Sequence, residues 1–405
     1  MKRACNLLTP KTMNISQLCE FHTTIKKQII LRMKKLITLL FVLLLSVSLL
    51  KAQRTFVPVD PVFPVRGFSI GIPSPENVDK FVKFIDEELA PAHFNTLILL
   101  ISYNYDYKSH PELKDNNPLT LENAKKIKAI CEKHNIEIIP QINMLGHQSW
   151  HFSTGNLLRV YPEFDETPYV KMDSARIGET YKWPNDEKLY CKSYCPLHPD
   201  VHKIMFDLID EIMDVFDAKT FHAGMDEVFY IAEDRCPRCA GHDKAELFAG
   251  EVIKIKNHLE KKDRKMMIWG DRLIDGKTSG LGVWEASMNQ TYRAIDMIPK
   301  DVIICDWHYD RAEPTAAYFA IKGFNVVSCP WNKAFVGKQQ IEDMQNLRQK
   351  SNRRQASRYQ GVIQTIWMGC DGFIKSYYDP ETYTKEVADA VCTKTIMEEF
   401  KKMMK

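Results

Sequence analysis

The sequence predicts a TIM barrel, a parallel (β/α)8 barrel in one domain, and three observations support this fold class. Eight short apolar runs alternate with longer helical patterns between residues 66 and 367. Several of these runs are continuously apolar, as is typical of parallel strands covered on both faces. Nearly every run ends in polar or aromatic residues. A doubly wound open sheet is the alternative, but it commonly has fewer strands and a Gly-rich first turn, which this sequence lacks.

The predicted strands are apolar segments of six to eight residues. In chain order they are 66–71, 96–103, 137–144, 220–227, 265–271, 302–309, 325–331 and 361–367. Helical patterns fill most gaps between them. Ser74 and Pro75 have the order of an N-cap and a first helical residue, and apolar residues at helical spacing follow Thr120 and Asp200. A helical tail at 381–404 closes the series.

The segment 33–52 has the order of a secretory signal peptide, with two lysines, an apolar run and a small residue at Ala52. The run, 36–50, has 15 residues, fewer than the roughly 18 to 20 that span a bilayer. We therefore predict a start at Met33, cleavage after Ala52 and export to the periplasm or the extracellular space. The membrane would be contacted only during export, and an uncleaved anchor is the alternative.

This interpretation divides the chain into residues 1–52, an upstream extension plus signal peptide, and residues 53–405, the barrel domain. The formal net charge of the whole chain is +3. Residues 1–52 carry a net charge of +8, so the barrel domain carries −5. A mildly acidic domain lacks the basic surface that nucleic-acid binding requires, so we expect no nucleic-acid partner.

Nine cysteines lie beyond residue 52, and this odd number leaves at least one unpaired within the chain. Two close pairs stand out, Cys191 with Cys195 and Cys236 with Cys239. After export these four cysteines could form disulfides or a four-thiolate structural zinc site. Their spacing fits a zinc site loosely, and the Cys-Pro-Arg-Cys segment lacks the βαβ context of a thioredoxin motif. Disulfides, free thiols and zinc all stay open.

Two adjacent acids, Asp226 and Glu227, follow the fourth apolar run. Neighbouring residues of a strand face opposite sides of the sheet, so two adjacent acids share one pocket only where the strand gives way to a loop. A helix N-terminus also favours acids, but the bulky residues 228–230 follow without a cap. The pattern therefore favours a pair of carboxylates at the rim of the barrel.

These residues resemble glycoside hydrolase family 20, the retaining β-N-acetylhexosaminidases. The segment HAGMDE at 222–227 is similar to the family motif H-x-G-G-D-E at the end of the fourth strand. FPVRG at 63–67 resembles the first-strand Arg-Gly, and IPQINMLGHQSW at 139–150 resembles the third-strand motif. MIWGD, CDWHY, SCPW and TIW follow in the order in which that family surrounds its sugar with aromatic residues.

The resemblance implies hydrolysis of a terminal N-acetylhexosamine, or a related sugar, from a glycan or oligosaccharide by substrate-assisted catalysis, without a cofactor. Glu227 would be the general acid. Asp226 would orient the 2-acetamido group, whose carbonyl oxygen attacks C1. Arg66 would bind ring hydroxyls and His147 would support the acid. Repulsion between the two acids would raise the pKa of one of them.

Further positions follow from the same resemblance. Asn332 stands where the family has a tyrosine that binds the acetamido oxygen, so it is assigned to substrate binding. His222 and Asn143 would support the acids. Four tryptophans at strand ends would wall the sugar subsite, although any one of them is equally compatible with the core: Trp269, Trp307, Trp331 and Trp367.

The sequence also departs from the family pattern. Met225 replaces the glycine before the acids, and the strand-eight Trp-x-Glu becomes Trp367-Met368-Gly369, with Asp371 as the nearest acid. The long, aromatic-rich loop from His147 to His198 is expected to contact the leaving group. An exported hexosaminidase is the predicted function. A catalytically silent carbohydrate-binding barrel is the alternative, and a metal-dependent hydrolase is the third interpretation.

Overall fold

The computed structural model describes residues 23, 26–40, 60–150, 153–171, 190–384 and 387–405. The chain divides into two units, Met1–Val57 and Pro58–Lys405. In the first unit, residues 26–40 form a helix whose side chains are exposed, and most of the predicted apolar signal run lies outside the described residues. Among the helices that are described, none is long and apolar enough to cross a membrane.

Eight parallel strands close into a barrel in the second unit, which confirms the predicted TIM barrel. The barrel strands are β1 (Val65–Gly71), β2 (Thr96–Leu100), β3 (Glu137–Met144), β6 (Thr220–Gly224), β7 (Lys265–Trp269), β8 (Ile303–Trp307), β9 (Asn325–Cys329) and β10 (Tyr359–Thr365). They follow one another in chain order around the barrel, and β10 pairs with β1 to close it. Two short strands, β4 (Ser149–Trp150) and β5 (Ser153–Thr154), form a hairpin after β3.

The helices surround the barrel in the order that the sequence predicts. They are α1 (Val78–Phe84), α2 (Leu121–Lys133), α3 (Asn156–Val160), α4 (Val201–Phe216), α5 (Lys244–Glu260), α6 (Gly276–Ser279), α7 (Thr315–Lys322), α8 (Ala334–Lys350), α9 (Arg353–Ala356), α10 (Cys370–Tyr378) and α11 (Val387–Met403). Thr120 caps α2 by accepting from the amide of Asn123. Ser74 makes no such cap, because its hydroxyl accepts from the side chain of Asn77.

Two apolar layers hold the barrel together. The larger layer lies between the strands and the helices and includes the apolar faces of α2 and α4. The smaller layer fills the barrel itself, with side chains contributed by strands on all sides of it. Its fully buried members include Ile98, Ile363 and Trp269. The side chains of the candidate site project from the carboxyl ends of the same strands that form this inner layer.

Candidate active site

The two adjacent acids lie just beyond the end of β6, where the regular strand backbone stops. Met225 and Glu227 both have positive φ, at 66° and 48°, and such residues cost on the order of 1–3 kcal/mol each. This backbone breaks the alternation of a strand, so both acids reach one imidazole. Asp226 Oδ2 lies 3.0 Å and Glu227 Oε2 lies 3.2 Å from His147 Nε2.

His147 carries the positive charge that stabilises this pair of acids. Burial lowers its pKa, but the carboxylate of Asp226 and the thiol of Cys191 outweigh burial, and the pKa rises well above its ordinary value. Burial likewise raises the pKa of Asp226, but the imidazolium and its hydrogen bond overcome this effect and lower it. Repulsion between the acids therefore does not raise the pKa of Asp226.

The buried ion pair of Asp271 and Arg272 holds the backbone at Glu227. The amide of Glu227 donates to Asp271 Oδ2 at 2.9 Å, and Arg272 Nε lies 2.6 Å from the same oxygen. Arg272 Nη2 also donates to the carbonyls of Val283 and Ala286, at 2.7 and 2.6 Å. Burial raises the pKa of Asp271 to about 6, although Arg272 opposes this shift. The pair thus joins the loop after β6 to the loop after β7.

Aromatic side chains cover Glu227 from the loop that follows β3. The hydroxyl of Tyr190 donates to Glu227 Oε2. The Tyr190 ring stacks on Trp284 with centroids 5.7 Å apart and meets Trp150 edge-on at 4.9 Å. Cys191 Sγ lies 3.2 Å from His147 Nδ1. Burial raises the pKa of Cys191 to about 12 in spite of His147, so this group is a neutral thiol at physiological pH.

The four predicted tryptophans form one aromatic group across the ends of β7 to β10. Trp269 is fully buried and packs on His222 and Trp367, with centroids 4.5 and 5.3 Å away. Trp307 stacks on Tyr309 at 4.9 Å, and Tyr309 meets Trp331 edge-on at 5.4 Å.

Tyr309 lies at the centre of this aromatic group. No motif in the sequence had identified it as a site residue. Its hydroxyl accepts a hydrogen bond of 2.6 Å from Trp367 Nε1. Trp307 Nε1 lies 3.4 Å from Asp271 Oδ1, a long contact that links the aromatic group to the ion pair.

The buried polar atoms of this site that have no hydrogen-bond partner among the described residues include Asp226 Oδ1, Trp269 Nε1 and Trp331 Nε1. An unpaired buried group costs about 1–3 kcal/mol. One is an acceptor and two are donors. The arrangement therefore suits a polar ligand that offers both an N–H group and oxygen acceptors, between the acids and the aromatic group.

Residues 85–383 match the sequence model of the glycosyl hydrolase family 20 catalytic domain. The chain belongs to glycosyl hydrolase family 20. A β-hexosaminidase of Akkermansia muciniphila is 27% identical over 204 residues, which cover 44% of this chain and 37% of that protein. A lacto-N-biosidase of Bifidobacterium bifidum is 24% identical over 217 residues, or 50% of this chain and 17% of that protein. This chain therefore covers well under half of the length of these two relatives.

Solved structures with family 20 names share the barrel fold. The Flavobacterium johnsoniae chitobiase aligns with a TM-score of 0.58 and 17% identity, covering 84% of this chain and 52% of that one. The β-N-acetylhexosaminidase of Bacteroides fragilis aligns with a TM-score of 0.52 and 16% identity, covering 83% and 66%. At these identities the likeness concerns the fold alone.

Among the family 20 positions predicted from the sequence, the structure does not bring Arg66 to the site. Arg66 is the second residue of β1, so it lies at the amino end of the barrel, opposite the acids. Its guanidinium donates to the carbonyls of His93 and Phe63, at 2.7 and 2.6 Å. The substrate-binding role predicted for Arg66 is therefore wrong, and Arg66 instead fastens the segments that precede β1 and β2.

The other supporting positions lie beneath the acids. His222 Nδ1 accepts from the amide of Gly224 at 3.0 Å, which holds the end of β6. Asn143 Oδ1 accepts from Gln141 at 3.1 Å and stands so close to Gly224 that a Cβ there would lie 2.9 Å away. Asn332 is half-buried beside the tryptophan that precedes it.

Asp371, the nearest acid after β10, serves the framework. Its carboxylate accepts from the amide of Ser74 and from Asn77 Nδ2, at 3.2 and 3.0 Å. It therefore ties the loop after β1 to the start of α10, rather than occupying the place of the acid in the family Trp-x-Glu motif.

The structure divides the four cysteines that the sequence grouped. Cys191 lies beside His147 and Glu227, whereas Cys195, Cys236 and Cys239 lie together elsewhere. All nine cysteines in the described part of the barrel unit are free and buried. A zinc site that includes Cys191 together with the other three is therefore wrong. In the long loop, Tyr190 contacts Glu227 and Trp150 packs on Tyr190, while Phe152, Tyr181 and Trp183 lie outside the described residues.

Proposed function

We propose that this chain removes terminal β-linked N-acetylhexosamine from glycans with retention of configuration, by substrate-assisted catalysis. One observation carries the proposal. Asp226 and Glu227 converge on His147, while Asp226 Oδ1 stays buried without a partner among the described residues. A carboxylate oxygen in that state suits a ligand N–H group, and the 2-acetamido group of an N-acetylhexosamine offers one.

Asp226 would hold the acetamido group in its attacking position. Its Oδ2 is engaged by His147, so Oδ1 would accept the acetamido N–H. The lowered pKa of Asp226, caused by His147 against the effect of burial, keeps the carboxylate ionised. The acetamido carbonyl oxygen would then bond to C1 as the glycosidic C–O bond breaks, and the developing positive charge on the acetamido group would lie next to this carboxylate.

Glu227 would supply the proton that the leaving oxygen needs. Its contacts with His147, Tyr190 and Cys191 are all made by Oε2, which leaves Oε1 for the glycosidic oxygen. The resulting carboxylate would be stabilised by the same donors. In the second step Glu227 would take a proton from the water that attacks C1, and the acetamido oxygen would be released from that carbon.

Tyr309 would take over the role of the family tyrosine that Asn332 replaces. Its hydroxyl oxygen accepts from Trp367, and the hydroxyl also contacts Thr365, so its hydrogen would turn to a ligand oxygen when one is bound. Burial chiefly, with contributions from Cys329 and Asp226, raises the pKa of Tyr309 well above its ordinary value, so it is protonated. We infer that Tyr309 donates to the acetamido carbonyl oxygen within the aromatic group.

Export is part of the proposal and rests on the pattern of residues 33–52. In the native cell the mature protein is expected to begin at Gln53 and to be found outside the cytoplasm. Mass spectrometry of its amino terminus after cell fractionation checks this. A mature chain that retains residues 33–52 would contradict cleavage.

The test of the catalytic proposal is an assay of the full chain with aryl β-N-acetylglucosaminides and β-N-acetylgalactosaminides. We expect turnover and a fall in kcat/KM of roughly 10²-fold or more for Glu227→Gln, as for loss of a general acid. The loss should shrink on a substrate with a highly acidic phenol, which leaves without protonation. Glu246→Gln, at an exposed position of α5, is the matched control.

Two outcomes would contradict the proposal. Turnover that survives Glu227→Gln on all substrates would remove Glu227 from the role of acid. Tight binding of N-acetylhexosamines without turnover, in a chain that folds normally, would instead support the carbohydrate-binding barrel.

A further inference from the structure

A second cluster of ligand-type side chains joins the loops after β3 and β6. Glu166 and Cys195 belong to the first loop, and Cys236 and Cys239 belong to the second. One ligand atom from each of the four lies within 4.8 Å of the others, and all four side chains are buried. Cys195 Sγ is 3.2 Å from Cys239 Sγ and 3.7 Å from Cys236 Sγ.

One oxygen of the Glu166 carboxylate is placed to bind a cation. Its Oε1 accepts from the amide of Glu233 at 3.0 Å, while its Oε2 is buried and has no hydrogen-bond partner in the part of the chain that the structure describes. The whole side chain is 0% exposed. A buried carboxylate beside three thiols is costly unless a positive charge neutralises it, so this unpartnered oxygen independently indicates a ligand.

We propose that Glu166, Cys195, Cys236 and Cys239 form a structural Zn²⁺ site. Zinc in structural sites is tetrahedral, with four protein ligands and Zn–S bonds of about 2.3 Å, so sulfurs bound to one ion lie about 3.8 Å apart. The separations of 3.2 and 3.7 Å are near that value and beyond the roughly 2.05 Å of a disulfide. The four ligands fill the coordination of the ion and leave no open position for a substrate.

This site would brace the catalytic loops without taking part in the chemistry. Cys195 follows Cys191 by four residues, and Cys236 follows Glu227 by nine. A metal bound between them would fasten the loop that carries Tyr190 to the loop that begins at the acids. The proposal concerns metal binding and stability, so it holds or fails independently of the sugar that the barrel accepts.

Metal analysis of the full chain, purified without chelators or a metal-affinity tag, tests the proposal. Inductively coupled plasma mass spectrometry should find about one zinc per chain. Cys195→Ser and Glu166→Gln should lose the zinc or release it to a weaker chelator. Cys191→Ser and Cys131→Ser, two other buried cysteines, should retain it. Removing zinc from the wild-type chain should lower Tm by roughly 5–10 °C.

The rival chemistry is a disulfide between Cys195 and Cys239. Alkylation of the unfolded, unreduced wild-type chain separates the two cases, because zinc-bound cysteines are all modified once metal is removed and disulfide-bonded ones are not. Zinc-free protein with two cysteines protected would overturn the proposal, as would zinc that is lost from Cys191→Ser but retained in Cys195→Ser. Both the zinc count and the alkylation count use wild-type protein, so they decide the matter even where a variant does not fold.

Discussion

The two halves of the barrel mouth are lined by different kinds of side chain. On the side of β6 and β7, buried charges dominate, with His147 between two acids and the Asp271–Arg272 pair behind them. On the side of β8 to β10, stacked aromatic rings dominate, with Tyr309 at their centre. The charged half keeps the two acids of the family 20 motif and departs from it only at Met225, whereas the aromatic half departs at Asn332 and at the residues after Trp367.

This difference indicates which half tolerates amino-acid substitution better. A buried charge that loses its partner costs several kcal/mol, so each residue of the charged half constrains the next. Aromatic rings prefer particular packing geometries but carry no net charge. An aromatic pair is worth only about 0.5–1.5 kcal/mol beyond its buried area, so exchanging one ring for another, or removing one hydroxyl, costs less. The proton transfer can thus be retained on one side while contacts to the sugar are rebuilt on the other. The predictions below measure this contrast, from the largest expected effect to the smallest.

Arg272→Met should give the largest loss of stability. It leaves Asp271 buried and uncompensated, and breaking a buried pair costs about 3–5 kcal/mol. Urea unfolding should show this fall in the free energy of unfolding. Arg293→Met, which removes a partly exposed pair with Asp243, should cost far less, because solvent screens exposed charges. Equal losses in the two variants would contradict the contrast between buried and exposed charge.

Asp226→Asn should abolish most activity with little loss of folding. The asparagine offers an N–H group or a weaker acceptor where the acetamido N–H needs a carboxylate, and we expect kcat/KM to fall roughly 10²- to 10³-fold, or about 3–4 kcal/mol. Steady-state kinetics on an aryl N-acetylhexosaminide provide the measurement. Asp234→Asn, at an exposed position of the same loop, serves as the control. A variant within tenfold of wild type would exclude the orienting role.

The sequence was informative about the barrel because the strands are covered on both faces, so eight apolar runs, several of them continuous, marked the strands. It also located the acids, since the pleat of a strand allows two neighbours to share a pocket only at its end. Several predicted strands ran past the observed ends, as in 220–227 against Thr220–Gly224. The polar residues beyond each apolar run belong to the loops.

The wrong predictions concern features that the spacing of residues in the sequence does not determine. Arg66 was assigned by motif, although its place at the start of a parallel strand puts it at the opposite end of the barrel. Cys191 was grouped with Cys195 by proximity in the chain, but the loop turns its thiol toward His147. Glu166 has no motif, and only the fold brings it to the three cysteines. The partners of Arg272 are backbone carbonyls, which no residue pattern reveals.

Tyr309→Phe should have a moderate effect on the aromatic half. It removes the hydroxyl that is proposed to bind the acetamido oxygen, and one such hydrogen bond is worth about 1–1.5 kcal/mol, or roughly tenfold in kcat. Kinetics should show the loss in kcat more than in KM, because the bond strengthens as the oxygen attacks. Tyr318→Phe, on the outer helix α7, should leave kcat unchanged. An unaltered kcat in Tyr309→Phe would show that another residue binds the acetamido oxygen.

The smallest effect concerns an ionic contact beneath the aromatic half. His308 is buried, with Nδ1 2.7 Å from Glu285 and Nε2 3.2 Å from Asp306. Burial lowers its pKa, but Asp306 and Glu285 outweigh burial and raise it to about 10. Because the folded pKa exceeds the unfolded value of about 6.5, the native state binds the extra proton. The stabilisation is therefore complete below pH 6.5 and is lost as the pH rises toward 10.

The difference in unfolding free energy between wild type and His308→Gln isolates this contribution, since other groups titrate equally in both chains. We expect the difference to shrink by on the order of 1 kcal/mol between pH 6.5 and 10. The effect is this small because Glu285 is partly exposed and the solvent screens its charge. Urea unfolding across that range measures it, with His242→Gln, at an exposed position, as the control. A constant difference would show that His308 is neutral in the fold, and the aromatic half would then rest on packing rather than on charge.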